Sequence, residues 1–159
     1  DERFARAWRE DSDLYFALLR HGDPVRPALR AQVAHPVRPA RFGISLAQQK
    51  NAFFDALLYK KHPQLYRELI GAYPPLDYYA IVLAAMIALV AWATGATEVA
   101  GLAAVLWLAL TIAFLAHRLR GTTVTPARFV EMLLTSIAIP WAAVFWRLAG
   151  AIRFRVPFA

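Results

Sequence analysis

The sequence predicts a mainly α membrane chain: short amphipathic helices, then a two-span transmembrane helical hairpin, then a re-entrant or third apolar helix. Three observations carry this. Apolar residues make up 59% of 159 positions and the mean hydropathy is +0.40, more apolar surface than a small soluble core can hide. Two runs, 78–97 and 99–116, hold no charged residue. Finally, all of the Lys and Arg lie either before Pro74 or after His117, and only Asp77 and Glu98 interrupt the stretch between. Basic flanks around an uncharged middle suit a bilayer, so the net charge of +7 does not argue for nucleic acid.

The first element expected is a short helix over 13–21. Leu14, Leu18 and Leu19 recur at helical spacing, Asp11, Ser12 or Asp13 can cap its start, and Gly22 stops it. Residues 22–43 carry Pro24, Pro27, Pro36 and Pro39 among Arg26, Arg30, Arg38 and Arg41. Prolines at that density exclude regular helix and predict an extended basic connector, with a short strand at 31–34.

A second helix is expected over 45–61, with Leu46, Phe53, Phe54, Leu57 and Leu58 on one face, ended by His62-Pro63. A third covers 64–72. Tyr73, Tyr78 and Tyr79 around Pro74-Pro75 then mark the headgroup layer, where amphipathic rings collect.

The runs 78–97 and 99–116 are each long enough for about 30 Å of hydrocarbon at about 1.5 Å per residue. Only Gly95-Ala96-Thr97-Glu98 joins them, which predicts an antiparallel hairpin with both ends in the cytoplasm and Glu98 in the outer turn. The last run, 132–146, is shorter and contains Pro140. A full crossing would also export Arg147, Arg153 and Arg155, so a bent, re-entrant or interfacial pair of helices on the cytoplasmic side is expected. Glu131, Thr135 and Ser136 should face protein or headgroups. The chain thus divides into 1–43, 44–76, 77–117 and 118–159.

Few residues offer chemistry. Cysteine is absent, which excludes disulfides, thiolate metal sites and cysteine nucleophiles. His21, His35, His62 and His117 show no ligand spacing and read as isolated surface or interface imidazoles, so no metal ligand is assigned. The distinctive feature is Trp8-Arg9-Glu10-Asp11-Ser12-Asp13-Leu14. Three carboxylates that close together suit a helix start, a bound cation or proton chemistry. The chain opens at Asp1, just ahead of them, so most of the machinery they serve is expected upstream.

Asp1-Glu2-Arg3-Phe4 followed by Trp8–Leu14 resembles the end of the catalytic domain in family-2 glycosyltransferases, which carry a similar FDE … W-x-E-D-x-D-L stretch. The resemblance continues through Ala56-Leu57-Leu58-Tyr59-Lys60-Lys61-His62-Pro63 with Leu65-Tyr66-Arg67, through His117-Arg118-Leu119-Arg120-Gly121-Thr122, and through Phe145-Trp146-Arg147 to Arg155. It implies the C-terminal part of a bacterial membrane-bound member, with residues 1–43 the tail of an α/β GT-A catalytic domain.

That resemblance implies inverting transfer of a sugar from a nucleotide-sugar donor to a lipid-linked or envelope glycan acceptor. It casts Asp11 as the general base and Glu10 as its support or as a positioner of the acceptor, leaving Asp13 to cap the helix. Arg38, Arg41, Gln48, Gln49 and Lys50 fall where related enzymes contact the donor diphosphate or close over it, and a helix start near Ser45 would add positive potential there. The Gln-x-x-Arg-Trp pattern of processive synthases is not reproduced, so a long polymer is not the expected product. A divalent cation, Mg or Mn, is implied for the full-length enzyme, with ligands outside this chain. The implied location is the bacterial inner membrane, multi-pass, with the active site on the cytoplasmic face; this fragment alone is expected to be inactive. The alternative is a non-catalytic membrane module that binds a partner protein or anionic lipid. A transport component fits less well, because neither span carries an ionisable group.

Overall fold

The computed structural model describes residues 1–159 except 23–24, 29, 35–39, 72 and 159. Its helices are α1 (Glu10–His21), α2 (Ile44–Ala47), α3 (Ala52–Lys61), α4 (Pro63–Leu69), α5 (Leu76–Ala93), α6 (Thr97–Leu119) and α7 (Pro126–Phe154), with a 3-10 turn at Gln48–Asn51 between α2 and α3. Among the described residues there is no strand, and 31–34 is neither helix nor strand. A strand there would need a neighbour to take its backbone hydrogen bonds, and among the described residues these positions are exposed and pair with no other strand.

Helix α1 starts three residues earlier than its apolar pattern indicated. Arg9 precedes it in the left-handed region, at φ 72°, and its own side chain makes no capping hydrogen bond. The carboxylates of Glu10, Asp11 and Asp13 still lie at the positive end of the helix dipole. Asp13 is not the cap: its side chain is committed elsewhere. At the far end Gly22, at φ 83°, closes the helix as its sequence position suggested.

The helix expected over 45–61 is one path with a tightened middle. Residues 47, 48, 51 and 52 all keep right-handed helical dihedrals, but the hydrogen bonding passes from α2 to the 3-10 turn to α3. Pro63 opens α4 at its first position, where a missing N–H costs nothing.

This path and α7 form the core. Ala56, Leu57 and Leu58 have no exposed surface and meet Phe4, Phe16, Phe54, Tyr59, Tyr66 and Phe158. Each large side chain so buried contributes roughly 1.5–3 kcal/mol. Gly150 of α7 sits against the backbone of α3: a Cβ there would lie 2.5 Å from the Phe53 carbonyl oxygen. Only glycine lets the two helices approach that closely. The contact is fastened at both ends. The Gly43 N–H donates to Glu131 Oε1 at 2.6 Å, and Lys60 Nζ donates to the Phe154 carbonyl at 2.6 Å, where a cation suits a helix C-terminus.

Helices α5 and α6 form the hairpin, turning at Gly95 with φ 81°. Glu98 falls in the first turn of α6 rather than in the loop. Trp92 and Leu102 are 74% and 75% exposed, so the hairpin offers its apolar surface outward, as lipid requires and water would not tolerate. Helix α7 is one continuous helix, not the expected pair. Pro140 removes one backbone hydrogen bond inside it but is fully buried, and packing holds the helix through that loss. Thr125 caps its start by accepting from the Arg128 N–H at 3.3 Å, and Pro126 follows. Helices α5, α6 and α7 are each long and apolar enough to cross a membrane. The chain is a multi-pass membrane protein in composition and architecture.

Candidate functional site

The acidic strip is held on α3 by two clamps. Trp8 Nε1 and Arg9 Nε both donate to Asp55 Oδ1, at 3.1 and 2.6 Å. One turn further on, Asp13 accepts from Lys61 Nζ at 2.6 Å and pairs with His62 Nε2 at 3.0 Å. Lys61 also reaches Asp1 Oδ2 at 2.8 Å, so a single ammonium ties the chain's first residue to α1. Burial of Asp13 by itself disfavours its charge, yet the hydrogen bonds and charges of Lys61 and His62 outweigh that and hold its carboxyl below the usual 3.8.

His62 is therefore not an isolated surface imidazole. It is 5% exposed and stands edge-on to Phe16, with centroids 5.6 Å apart. Its Nε2 faces Asp13, and its Nδ1 is buried without a partner among the described residues. His21 and His117 are exposed, as expected, while His35 lies outside the described residues.

Glu10 and Asp11 differ from Asp13. Both are exposed on the first turn of α1. Asp11 Oδ1 accepts from the Ser12 N–H at 2.7 Å, and the Ser12 hydroxyl lies 3.4 Å away. Trp8 lies against Arg9, whose guanidinium is 5.1 Å from the ring centroid.

The residues assigned to the donor diphosphate form a separate group. Arg38 lies outside the described residues. Arg41 is exposed before α2, and Gln48, Gln49 and Lys50 form the 3-10 turn, with Gln49 Nε2 donating to the Ser45 carbonyl at 2.8 Å. Among the described residues no hydrogen bond or ion pair joins this group to Glu10 or Asp11. At the start of α2, Glu131 already supplies the anion through the Gly43 N–H, and the Ser45 hydroxyl accepts from Arg118 Nη2 at 3.1 Å.

Arg118 is a residue that periodicity and spacing did not single out. From the last turn of α6 its Nη1 donates to Thr135 Oγ1 and Ser136 Oγ, both at 2.8 Å, and to the Met132 carbonyl at 3.1 Å. One guanidinium thus joins α2, α6 and α7, and it explains why polar Thr135 and Ser136 can be buried. Further along α7, Trp141 lines a pocket with Ala85, Leu89 and Trp107, and Arg147 shares a cleft with Tyr73 and Pro74, just ahead of α5.

Among the described residues no three His, Asp or Glu side chains gather as a metal would require. Comparison of the chain with protein-family models, with curated proteins and with solved structures found no match.

Proposed function

We propose that this chain is the C-terminal, membrane-anchoring part of an inverting glycosyltransferase that moves sugar from a nucleotide sugar to a lipid-linked or envelope acceptor. The observation that carries the reading is the division of labour in the acidic strip. Asp13 is consumed by an ion pair with Lys61 and a buried hydrogen bond with His62, whereas Glu10 and Asp11 are exposed on a helix start that two clamps hold fixed. An acid that works on a substrate must be within its reach and held in place, and the pairing of Asp13 leaves that to Glu10 and Asp11. In the reaction an acceptor hydroxyl oxygen bonds to the anomeric carbon as the bond to the diphosphate breaks. Asp11 takes the hydroxyl proton, and Glu10 positions the acceptor. Arg41, Gln48, Gln49 and Lys50, with Arg38, attend the leaving diphosphate, and the nucleotide and divalent cation (Mg or Mn) sit on residues outside this chain.

The site works at the cytoplasmic face of the bacterial inner membrane. Helix α7 stays on that side and does not leave by the opposite face. Two contacts support this. The first half of α7 meets Arg118 at the end of α6, and its second half meets Tyr73 and Pro74 just before α5. Those are neighbouring ends of the hairpin, and they carry its basic flanks. Trp141, between the two halves, faces the middle of the hairpin.

Replacing Asp11 by Asn in the full-length protein tests the chemistry. The expected result is loss of sugar transfer by about 100-fold or more with nucleotide binding unchanged. Transfer at the wild-type rate would remove Asp11 as the base. A second reading, a non-catalytic module bound to anionic lipid, draws on the exposure of Arg26, Arg30 and Arg41 along the connector. It requires that the full-length protein transfer no sugar at all.

A further inference from the structure

A second cluster, away from the acidic strip, lies between α4, the second half of α7 and the tail that follows it. Tyr59, Tyr66, Arg67, Tyr73 and Arg147 line an open cleft of about 130 Å³, and no carboxylate side chain is among the described residues that line it. Arg67 donates Nη2 to the Tyr59 hydroxyl and lies over that ring, 5.3 Å from its centroid. Arg147 is stacked more closely, its guanidinium carbon 3.8 Å from the Phe158 centroid. Stacking occupies one face of the guanidinium and leaves its edge for acceptors. Yet Arg147 Nε is buried with no hydrogen-bond partner among the described residues, an arrangement that costs free energy unless an acceptor arrives.

The chemistry of the lining is that of an anion site. Two guanidiniums supply charge-assisted donors in the planar geometry that phosphate oxygens accept. Burial pushes the Tyr66 hydroxyl up to about 12, with the Asp55 carboxylate adding to that and Arg147 opposing it. Tyr66 therefore keeps its proton as a donor at any physiological pH. The cleft is far smaller than the roughly 300–1,000 Å³ of pockets that enclose drug-sized ligands, so it suits a phosphate group and not a nucleotide sugar. Its position selects the source of that group. Tyr73 and Pro74 form part of its wall, and α5 begins at Leu76, so the cleft opens where the chain enters the bilayer.

We propose that this cleft holds the phosphate of an anionic lipid headgroup, bridged by Arg67 and Arg147. The site is independent of sugar transfer and stands or falls without it. Native mass spectrometry of the full-length protein in detergent, with added phosphatidylglycerol or phosphatidylcholine, tests it. Phosphatidylglycerol adducts are expected to exceed those of phosphatidylcholine. They should fall about tenfold in Arg147→Gln and several-fold in Arg67→Gln, the scale of one lost charge-assisted bond. Arg147→Lys, which keeps the charge and the fold but loses the planar fork, should also bind several-fold less. Arg153→Gln, on the same helix but outside the cleft, should bind as wild type. Adducts that survive both Gln variants, or that fall equally in Arg153→Gln, would overturn the proposal. So would displacement of the lipid by millimolar inorganic phosphate, which would assign the cleft to a soluble ligand.

Discussion

Asp13 Oδ1 lies 3.0 Å from Nε2 of His62, a residue 49 positions along the chain and on the far side of a proline-rich connector. Both groups are buried, and Lys61 completes the arrangement on the other carboxylate oxygen. The pairing fastens α1 to the junction of α3 and α4, and it removes one of three neighbouring acids from any role toward a substrate.

Replacing Asp13 by Asn should destabilise the protein by about 2–3 kcal/mol at neutral pH, since His62 and Lys61 are left beside a neutral amide. The loss should depend on acid in a defined direction. The folded-state pKa of Asp13 lies below the ordinary 3.8, so its contribution is fully present above about pH 4 and disappears as pH falls through the lowered value. Thermal melts in detergent from pH 7 downward should show wild type and variant converging below pH 4.

A methyl group at position 150 should be costly. Gly150→Ala places Cβ against the backbone of α3, which cannot retreat without separating from α7, and should destabilise by roughly 1–3 kcal/mol. At Gly101 of α6 nothing lies within 4 Å, so Gly101→Ala should be neutral or stabilising by up to about 1 kcal/mol. Melting temperatures of the two variants side by side separate close packing from helix propensity.

The side of the membrane on which α7 ends can be read with thiol labels, because this chain has no cysteine of its own. Cysteines placed at Ala96 and at Arg155, with any thiol elsewhere in the protein removed, should react with a membrane-impermeant maleimide from opposite faces. Labelling of both from one face would mean that α7 crosses the bilayer.

What the sequence made legible was whatever local pattern controls. The uncharged runs became α5 and α6, Gly22 ended α1, and Pro63 opened α4. Exposure of Glu10 and Asp11 at a helix start was likewise within reach of pattern. The partners of Asp13 were not, because nothing in the spacing of Lys61 or His62 points back to α1; the docking of α1 on α3 creates that site. Pro140 misled for a related reason. Its local effect is to break a helix, but α7 continues through it with Pro140 fully buried. The tightened turn at Gln48–Asn51 and the clasp of Arg118 also arise only where three elements meet.

The two fastenings of the 43–61 path to α7 join residues 88 and 94 positions apart, and the whole α5–α6 hairpin lies inside the loops they close. Such long loops carry an entropic cost that local contacts cannot offset in advance. Bringing Glu131 to Gly43 and Phe154 to Lys60 is far easier once the hairpin has folded back on itself and shortened the distance between its flanks. Folding is therefore expected in an order: the hairpin forms first, and the layer that holds Asp11 is sealed only when α7 docks.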